Sequence, residues 1–125
     1  MTIKPMAGAL CAALAVAACW TAPAAAADAF PDRAITLIVP FAPGGSVDIA
    51  ARLISEAWGR ALGQSVIIEN RAGASGNIGM SAVARAQPNG YTLGINTMSL
   101  AINPALFKTM PFDTGKDLRS VGTVG

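Results

Sequence analysis

The apolar positions of the chain repeat one event. An unbroken apolar run gives way to a short polar loop, and then to apolar residues at helical spacing. "AITLIVPF" (Ala34 to Phe41) is the first run, β-branched at Ile35, Thr36, Ile38 and Val39, and such runs suit a strand buried on both faces of a parallel sheet. After "APGGS" the apolar residues Ala50, Leu53, Ile54, Ala57, Trp58, Ala61 and Leu62 recur at three and four, which predicts a helix from Val47 to Leu62 with one buried stripe. Trp58 falls on that stripe as a packing residue. Arg52, Glu56 and Arg60, spaced by four, form its solvent face, and Gly63 supplies the stop.

The event recurs twice. "SVIIEN" (Ser65 to Asn70) predicts a second strand, "RAGASGN" a second glycine-rich loop, and "IGMSAVARA" a second helix ending near Ala86. "QPNG" reads as a turn, since Pro88 bars helix continuation and Asn89-Gly90 tolerates positive φ. "YTLGIN" (Tyr91 to Asn96) predicts a third strand, "TMSLAIN" a third polar loop, and Pro104 the opening of a short helical turn through Phe107. "MPFDTGKDL" reads as surface connection before a last strand at Ser120 to Val124. Alternating strands and helices with short connections imply an α/β fold with a parallel sheet. In such sheets ligands gather beyond the carboxyl ends of the strands. The loops at residues 41–47, 71–77 and 97–103 all leave strand ends, so one edge is expected to hold all three.

The first 27 residues are set apart from that fold. Lys4 precedes an apolar, alanine-dominated run, and "TAPAAAA" places small residues at Ala25 and Ala27, the layout of a secretory signal with a mature start at Asp28. Lipoprotein processing at Cys19 is the minor alternative. The chain is therefore expected in the periplasm, with residues 28–125 as its mature part. Both cysteines, Cys11 and Cys19, lie in the leader and the chain has no histidine. Disulfides, thiolate metal sites, a cysteine nucleophile and a histidine base are thereby excluded from residues 28–125. Of nine Lys/Arg, Lys4 leaves with the leader, so eight basic residues face seven acidic ones, a balance that suggests no nucleic acid. The chain stops at "RSVGTVG" without a closing helix and is expected to be the N-terminal part of something longer.

What remains for chemistry is bare backbone. The first turn of a helix leaves amide donors without partners and concentrates about half a positive charge there. Gly44 and Gly45 remove side chains so that an oxygen can approach, with Ser46 expected as the N-cap. Asp48 is either a helix-start charge or a ligand contact, and Ser75 or Asn77 either caps the second helix or meets the ligand. Two glycine loops in succession beside a Thr97/Ser99 loop point to a site for a small anion. Three or four charge-assisted hydrogen bonds, each worth ~1.5–3 kcal/mol before association costs, could reach micromolar affinity, and no arginine is required for that arithmetic. Arg71 stands close by, as a ligand partner or in a structural ion pair.

Competing chemistries lack their residues. "GASGNIG" (Gly73 to Gly79) has G-x-x-G-x-x-G spacing instead of the dinucleotide G-x-G-x-x-G, and no acid lies between Glu69 and Asp113 to hold a ribose. A G-x-x-x-x-G-K-[ST] phosphate loop is missing, and neither Ser46 nor Ser75 sits in G-x-S-x-G. No carboxylate pair suggests acid–base work, and no metal or other cofactor is expected.

"PDRAITLIVPFAPGGSVDIAARLI", then "LGQSVIIENRAGASGNIGMSAVARAQPNGYTLGI", then "NPALF…MPFDTGKDL" resembles the substrate receptors of tripartite tricarboxylate transporters, the TctC or Bug family. The resemblance covers nearly all of residues 28–125. It implies the first lobe, incomplete in this chain, of a two-lobe periplasmic-binding-protein (Venus-flytrap) fold. It also implies a monomeric, non-enzymatic receptor that binds a small organic carboxylate and delivers it to a membrane permease. Carried onto this chain, the ligand loops are Phe41, Ala42, Pro43, Gly44, Gly45, Ser46 and Asp48; Gly73, Ala74, Ser75, Gly76 and Asn77; and Thr97 with Ser99. Two other classes fit the residues: an exported enzyme with its catalytic groups further along the chain, and a sensing module that feeds a signalling partner.

Overall fold

A computed structural model describes residues 30–124. The expected leader, residues 1–27, lies outside the described residues. The elements run β1 (Ile35–Val39), α1 (Ser46–Leu62), β2 (Val66–Asn70), a 3₁₀ turn (Ala74–Gly76), α2 (Asn77–Ala84), β3 (Thr92–Gly94) and α3 (Ser99–Leu106). Both neighbours of β1 are parallel to it, in the order β2-β1-β3, with Leu37 opposite Ile68 on one side and Leu93 on the other. The α/β reading with a parallel sheet is therefore correct, and three strands with one helix after each follow the expected order.

β1 is central because its side chains are apolar on both faces. Leu37 and Val39 point one way and pack with Ala51 of α1, flanked by Val47, Trp58, Val66, Ile68 and Leu93. Burial of Leu37 and Val39 contributes roughly 1.5–3 kcal/mol each. Trp58 is thus a packing residue, as its position on the helix predicts. By the two-residue alternation of strands, Ile38 and Pro40 face the opposite side, where α2 lies. There a Cβ on Gly94 would stand 2.8 Å from Val83 Cγ2, so glycine is what lets α2 approach β3.

Several expectations are corrected. All three strands are shorter than predicted: β1 lacks Ala34, Pro40 and Phe41, β2 lacks Ser65, and β3 loses residues at both ends. The α1 stripe is rotated, since Asp48 and Ala51 are its buried residues while Leu53 is 68% exposed. A three-stranded sheet is too narrow to cover the whole apolar face. Arg52 turns back to Asp48 instead of supporting Glu56. α2 ends at Ala84, two residues early, before Pro88 can interfere. α3 begins at Ser99 and holds Pro104 inside it, so most of the predicted third loop is helical. "MPFDTGKDL" is not all surface, because Phe112 is buried. No strand forms at Ser120 to Val124, where Val121 is 79% exposed. Among the described residues no strand pairs with this segment, and Val121 and Val124 line an open hollow beside Trp58 and Leu93. Gly63 ends α1 in the left-handed conformation at φ 67°, and Gly90 turns at φ 83°, both as the sequence requires.

α2 is seated by Gly79. A Cβ there would meet the Arg71 carbonyl and the Pro40 ring, each at 2.8 Å, and neither can give way easily. Gly79→Ala is expected to destabilise the fold by about 1–3 kcal/mol despite alanine's better helix propensity. Urea denaturation checks this, and a midpoint at or above the parent's would show that α2 has slack against the sheet.

Candidate functional site

The first loop is built around an enclosed carboxylate. Gly44, at φ 83°, directs its N–H to Asp48 Oδ2 at 2.9 Å. Arg52 Nε donates to the same oxygen at 2.9 Å, and its second nitrogen reaches Oδ1 at 3.2 Å. From the end of β2, Asn70 Nδ2 bridges Asp48 Oδ1 at 2.8 Å and the Phe41 carbonyl at 3.2 Å. Asp48 is 2% exposed. The Arg52 guanidinium, then the Gly44 amide and Asn70, hold its carboxyl far below the usual carboxylate range. Asp48 is therefore a helix-start charge in full structural use, and its engagement of the Gly44 amide withdraws that donor from any ligand.

The remaining donors lie one step on. Gly45, not Ser46, is the N-cap of α1, in ordinary extended geometry and without a side-chain cap. The amides of Gly45, Ser46 and Val47 form no hydrogen bond within the described residues. Ala42, Pro43, Gly44, Gly45 and Ser46 are all exposed, while Phe41 packs against the core.

The second loop is a left-handed turn. Gly73, Ala74, Ser75 and Gly76 have φ of 132°, 47°, 53° and 91° in succession. Two of these are not glycine, which costs roughly 1–2 kcal/mol per residue. Gly76 N–H closes the turn on the Gly73 carbonyl at 2.9 Å. The amides of Ala74 and Ser75 make no hydrogen bond among the described residues. Gly76 is buried where the three loops adjoin: a Cβ there would lie 3.4 Å from Pro40 Cβ and 3.8 Å from Asn96 Nδ2. The Asn77 side chain is also buried, accepting from Asn103 Nδ2 at 2.7 Å and meeting Met110 Sδ at 3.5 Å. It caps nothing, and its polar atoms are engaged inside the chain.

The third loop is a short polar cluster opening α3. Asn96 Oδ1 accepts from the Thr97 amide at 2.6 Å and from Ser99 Oγ at 2.9 Å, and the Thr97 and Ser99 hydroxyls stand 3.2 Å apart. Asn96 Nδ2 is buried without a hydrogen-bond partner among the described residues. Arg71 pairs with Glu69 at 2.7 Å at the surface, with both side chains half-exposed.

All the residues expected to bind thus lie at the carboxyl edge of the sheet, but in two kinds. Exposed backbone belongs to Gly45, Ser46, Ala74 and Ser75, whereas Asp48 and Asn77 are internal struts. A cavity of about 540 Å³ runs along the apolar flank of α1 and β3, from Ser46 past Trp58 and Leu93 to Asn96 and Thr97, with Val121 also in its lining. Ala74 and Asn77 line a different hollow of about 570 Å³ with Arg71 and Phe107. Asn70, Asn96 and Asn103 escape the sequence reading. An asparagine closing a strand, as in "IIEN" and "LGIN", is the signal that could have shown the first two, because its short amide can reach a neighbouring loop. Among the described residues no group of three His, Cys, Asp or Glu could hold a metal ion. The edge offers hydrogen-bond donors aimed outward rather than an acid–base pair.

Such an edge, on a parallel sheet clad by helices, defines part of a lobe of a periplasmic binding protein. The profile of the tripartite tricarboxylate transporter family receptor matches residues 50–125, and the chain belongs to that family. Protein BugT of Bordetella pertussis is 44% identical over 101 residues, 79% of this chain and 31% of BugT. The periplasmic binding protein BugD superposes with a TM-score of 0.68 at 38% identity, over 70% of this chain and 29% of BugD. An R. palustris protein solved with adipate gives 0.66 at 42% identity, over 69% of this chain and 29% of its own. MatC from Rhodopseudomonas palustris, with bound malate, gives 0.62 at 39% identity, over 70% and 30%. The chain spans about a third of the length of the curated relatives it matches.

The Asp48 strut has a pH signature. Its folded-state pKa lies below the ordinary 3.8, so its stabilisation is complete above about pH 4 and is lost as acid lowers the pH toward the folded value. Asp48→Asn is expected to unfold at lower temperature at pH 7 and to lose less stability between pH 5 and 3 than the parent. Thermal unfolding across that range checks it. Parallel pH profiles for the two proteins would show that another acid, such as Asp113, carries the dependence.

Proposed function

We propose that this chain is the anion-gripping part of the first lobe of an exported, periplasmic solute receptor, which takes a small organic carboxylate and passes it to a membrane permease of the tripartite tricarboxylate type. The observation that carries the reading is the pair of exposed loops whose amides, at Gly45 and Ser46 and at Ala74 and Ser75, have no partner within the described residues. A carboxylate oxygen can accept from two amides, and the α1 N-terminus adds its dipole. Three such bonds at ~1.5–3 kcal/mol each are of the same order as the cost of association, so contacts from a second lobe supply the remaining affinity. The adipate and malate found with two relatives, both dicarboxylates, support the same ligand class.

In this reading the amides of Gly45, Ser46, Ala74 and Ser75 supply the backbone contacts, Gly44, Gly73 and Gly76 shape the two turns that present them, and the Thr97 and Ser99 hydroxyls adjust the third side. Phe41, Ala42 and Pro43 shape the wall. Asp48 and Asn77 support the loops without touching the ligand. A second lobe, carried by the further length that the relatives have, closes over the acid as a hinge motion and selects its far end. The receptor performs no chemistry on its ligand.

The complete protein, purified from its native compartment, is expected to carry an organic acid identifiable by mass spectrometry. After removal of that acid, at least one of a panel including adipate, malate, citrate and glutamate is expected to raise its thermal midpoint. An empty protein with no shift across the panel would overturn the proposal.

Gly45 gives the sharper test. Its φ of −75° suits any residue, and a Cβ there stands 3.5 Å from the nearest atom, the Ala42 carbonyl oxygen. Gly45→Val is therefore expected to leave the unliganded midpoint nearly unchanged while weakening carboxylate binding at least tenfold by calorimetric titration. Gly44 does not separate the two effects, since its φ of 83° strains any substitute. Normal binding by Gly45→Val would reduce the loop to a turn.

A further inference from the structure

The second loop holds two non-glycine residues in the left-handed region, and such a conformation persists only where the surroundings over-determine it. Within the turn two backbone bonds oppose that cost, Gly76 N–H to the Gly73 carbonyl and Asn77 N–H to the Ala74 carbonyl, and both leave the Ser75 carbonyl unheld. Support for that carbonyl comes from α3. Asn103 is 2% exposed, and its side-chain nitrogen donates to the Ser75 carbonyl at 3.0 Å and to Asn77 Oδ1 at 2.7 Å. It thus holds the turn's strained carbonyl and the first residue of α2 together, from 28 residues away along the chain.

We propose that Asn103 is a positioning residue for ligand binding: it locks the left-handed turn at Ala74 and Ser75 so that their amides face outward together. Rotation of the Ser75 peptide would turn its carbonyl away from Asn103 and leave a buried amide without one of its acceptors, a state that proteins avoid. The turn is thereby held in one conformation before the ligand arrives, and the ordering cost of binding falls. The binding half of this inference rests on the carboxylate reading above, whereas the conformational half does not.

The test uses the complete protein in two measurements. Hydrogen exchange reads the turn, where Asn103→Ala is expected to speed exchange of the Gly76 amide at least tenfold while leaving that of Leu37 in β1 unchanged. Calorimetric titration with adipate and malate reads binding, where the same variant is expected to bind at least tenfold more weakly. Adding Ala74→Gly, which removes the Cβ penalty of the left-handed conformation, is expected to restore at least threefold of the lost affinity. A merely structural asparagine would not respond to that second change. Should Asn103→Ala fail to fold, Asn103→Ser, which keeps a shorter donor, takes its place in both measurements. Unchanged Gly76 exchange, or parental affinity, would overturn the role of Asn103. If the parent itself binds no acid, the carboxylate reading fails and the exchange data alone decide whether Asn103 locks the turn.

Discussion

Parallel pairing on both sides of β1 is the constraint from which the rest of the structure follows. Parallel neighbours must all end at the same edge, and each needs a helix to return the chain to the start of the next strand. The loops after β1, β2 and β3 therefore converge however their sequences vary. Apolar side chains on both faces of β1 make the arrangement stable, because α1 covers Leu37 and Val39 while α2 approaches Pro40 and Gly94.

Convergence alone does not make a site, since loops at an edge could collapse onto one another. In this chain the backbone is kept open by short polar side chains working behind it. Asp48 and Asn70 fasten the first loop, Asn103 and Asn77 the second, and Asn96 the third. Asp48, Asn77 and Asn103 are buried, and the Asn70–Asp48 and Asn103–Ser75 bonds tie distant segments together, whereas Asn96 bonds within its own loop. The loops are thus braced from below while Gly45, Ser46, Ala74 and Ser75 stay exposed.

Much of the fold is legible in the residues, and the misses have a common origin. "AITLIVPF" shows a doubly buried strand because nothing polar interrupts it, and the helix over "VDIAARLISEAWGRAL" follows from spacing and Gly63. Periodicity misplaces the stripe of α1, since spacing identifies an apolar face but not how wide a sheet it will meet. Pro104 has the sequence signature of a helix opener, whereas α3 accepts it in its later half. Asp48 has two roles open to it from sequence. Only the approach of Arg52, the Gly44 amide and Asn70 to one carboxylate decides between them.

Local spacing and residue type are enough for the order of elements, the positions of the bare loops and the absence of histidine. Which donors are free is a property of the folded chain, since hydrogen-bond partners such as Asn70 for the first loop and Asn103 for the second come from distant segments. A left-handed turn through Ala74 and Ser75 could not be foreseen from residues that avoid it. Packing against a helix that begins more than twenty residues later is what makes that conformation the stable one.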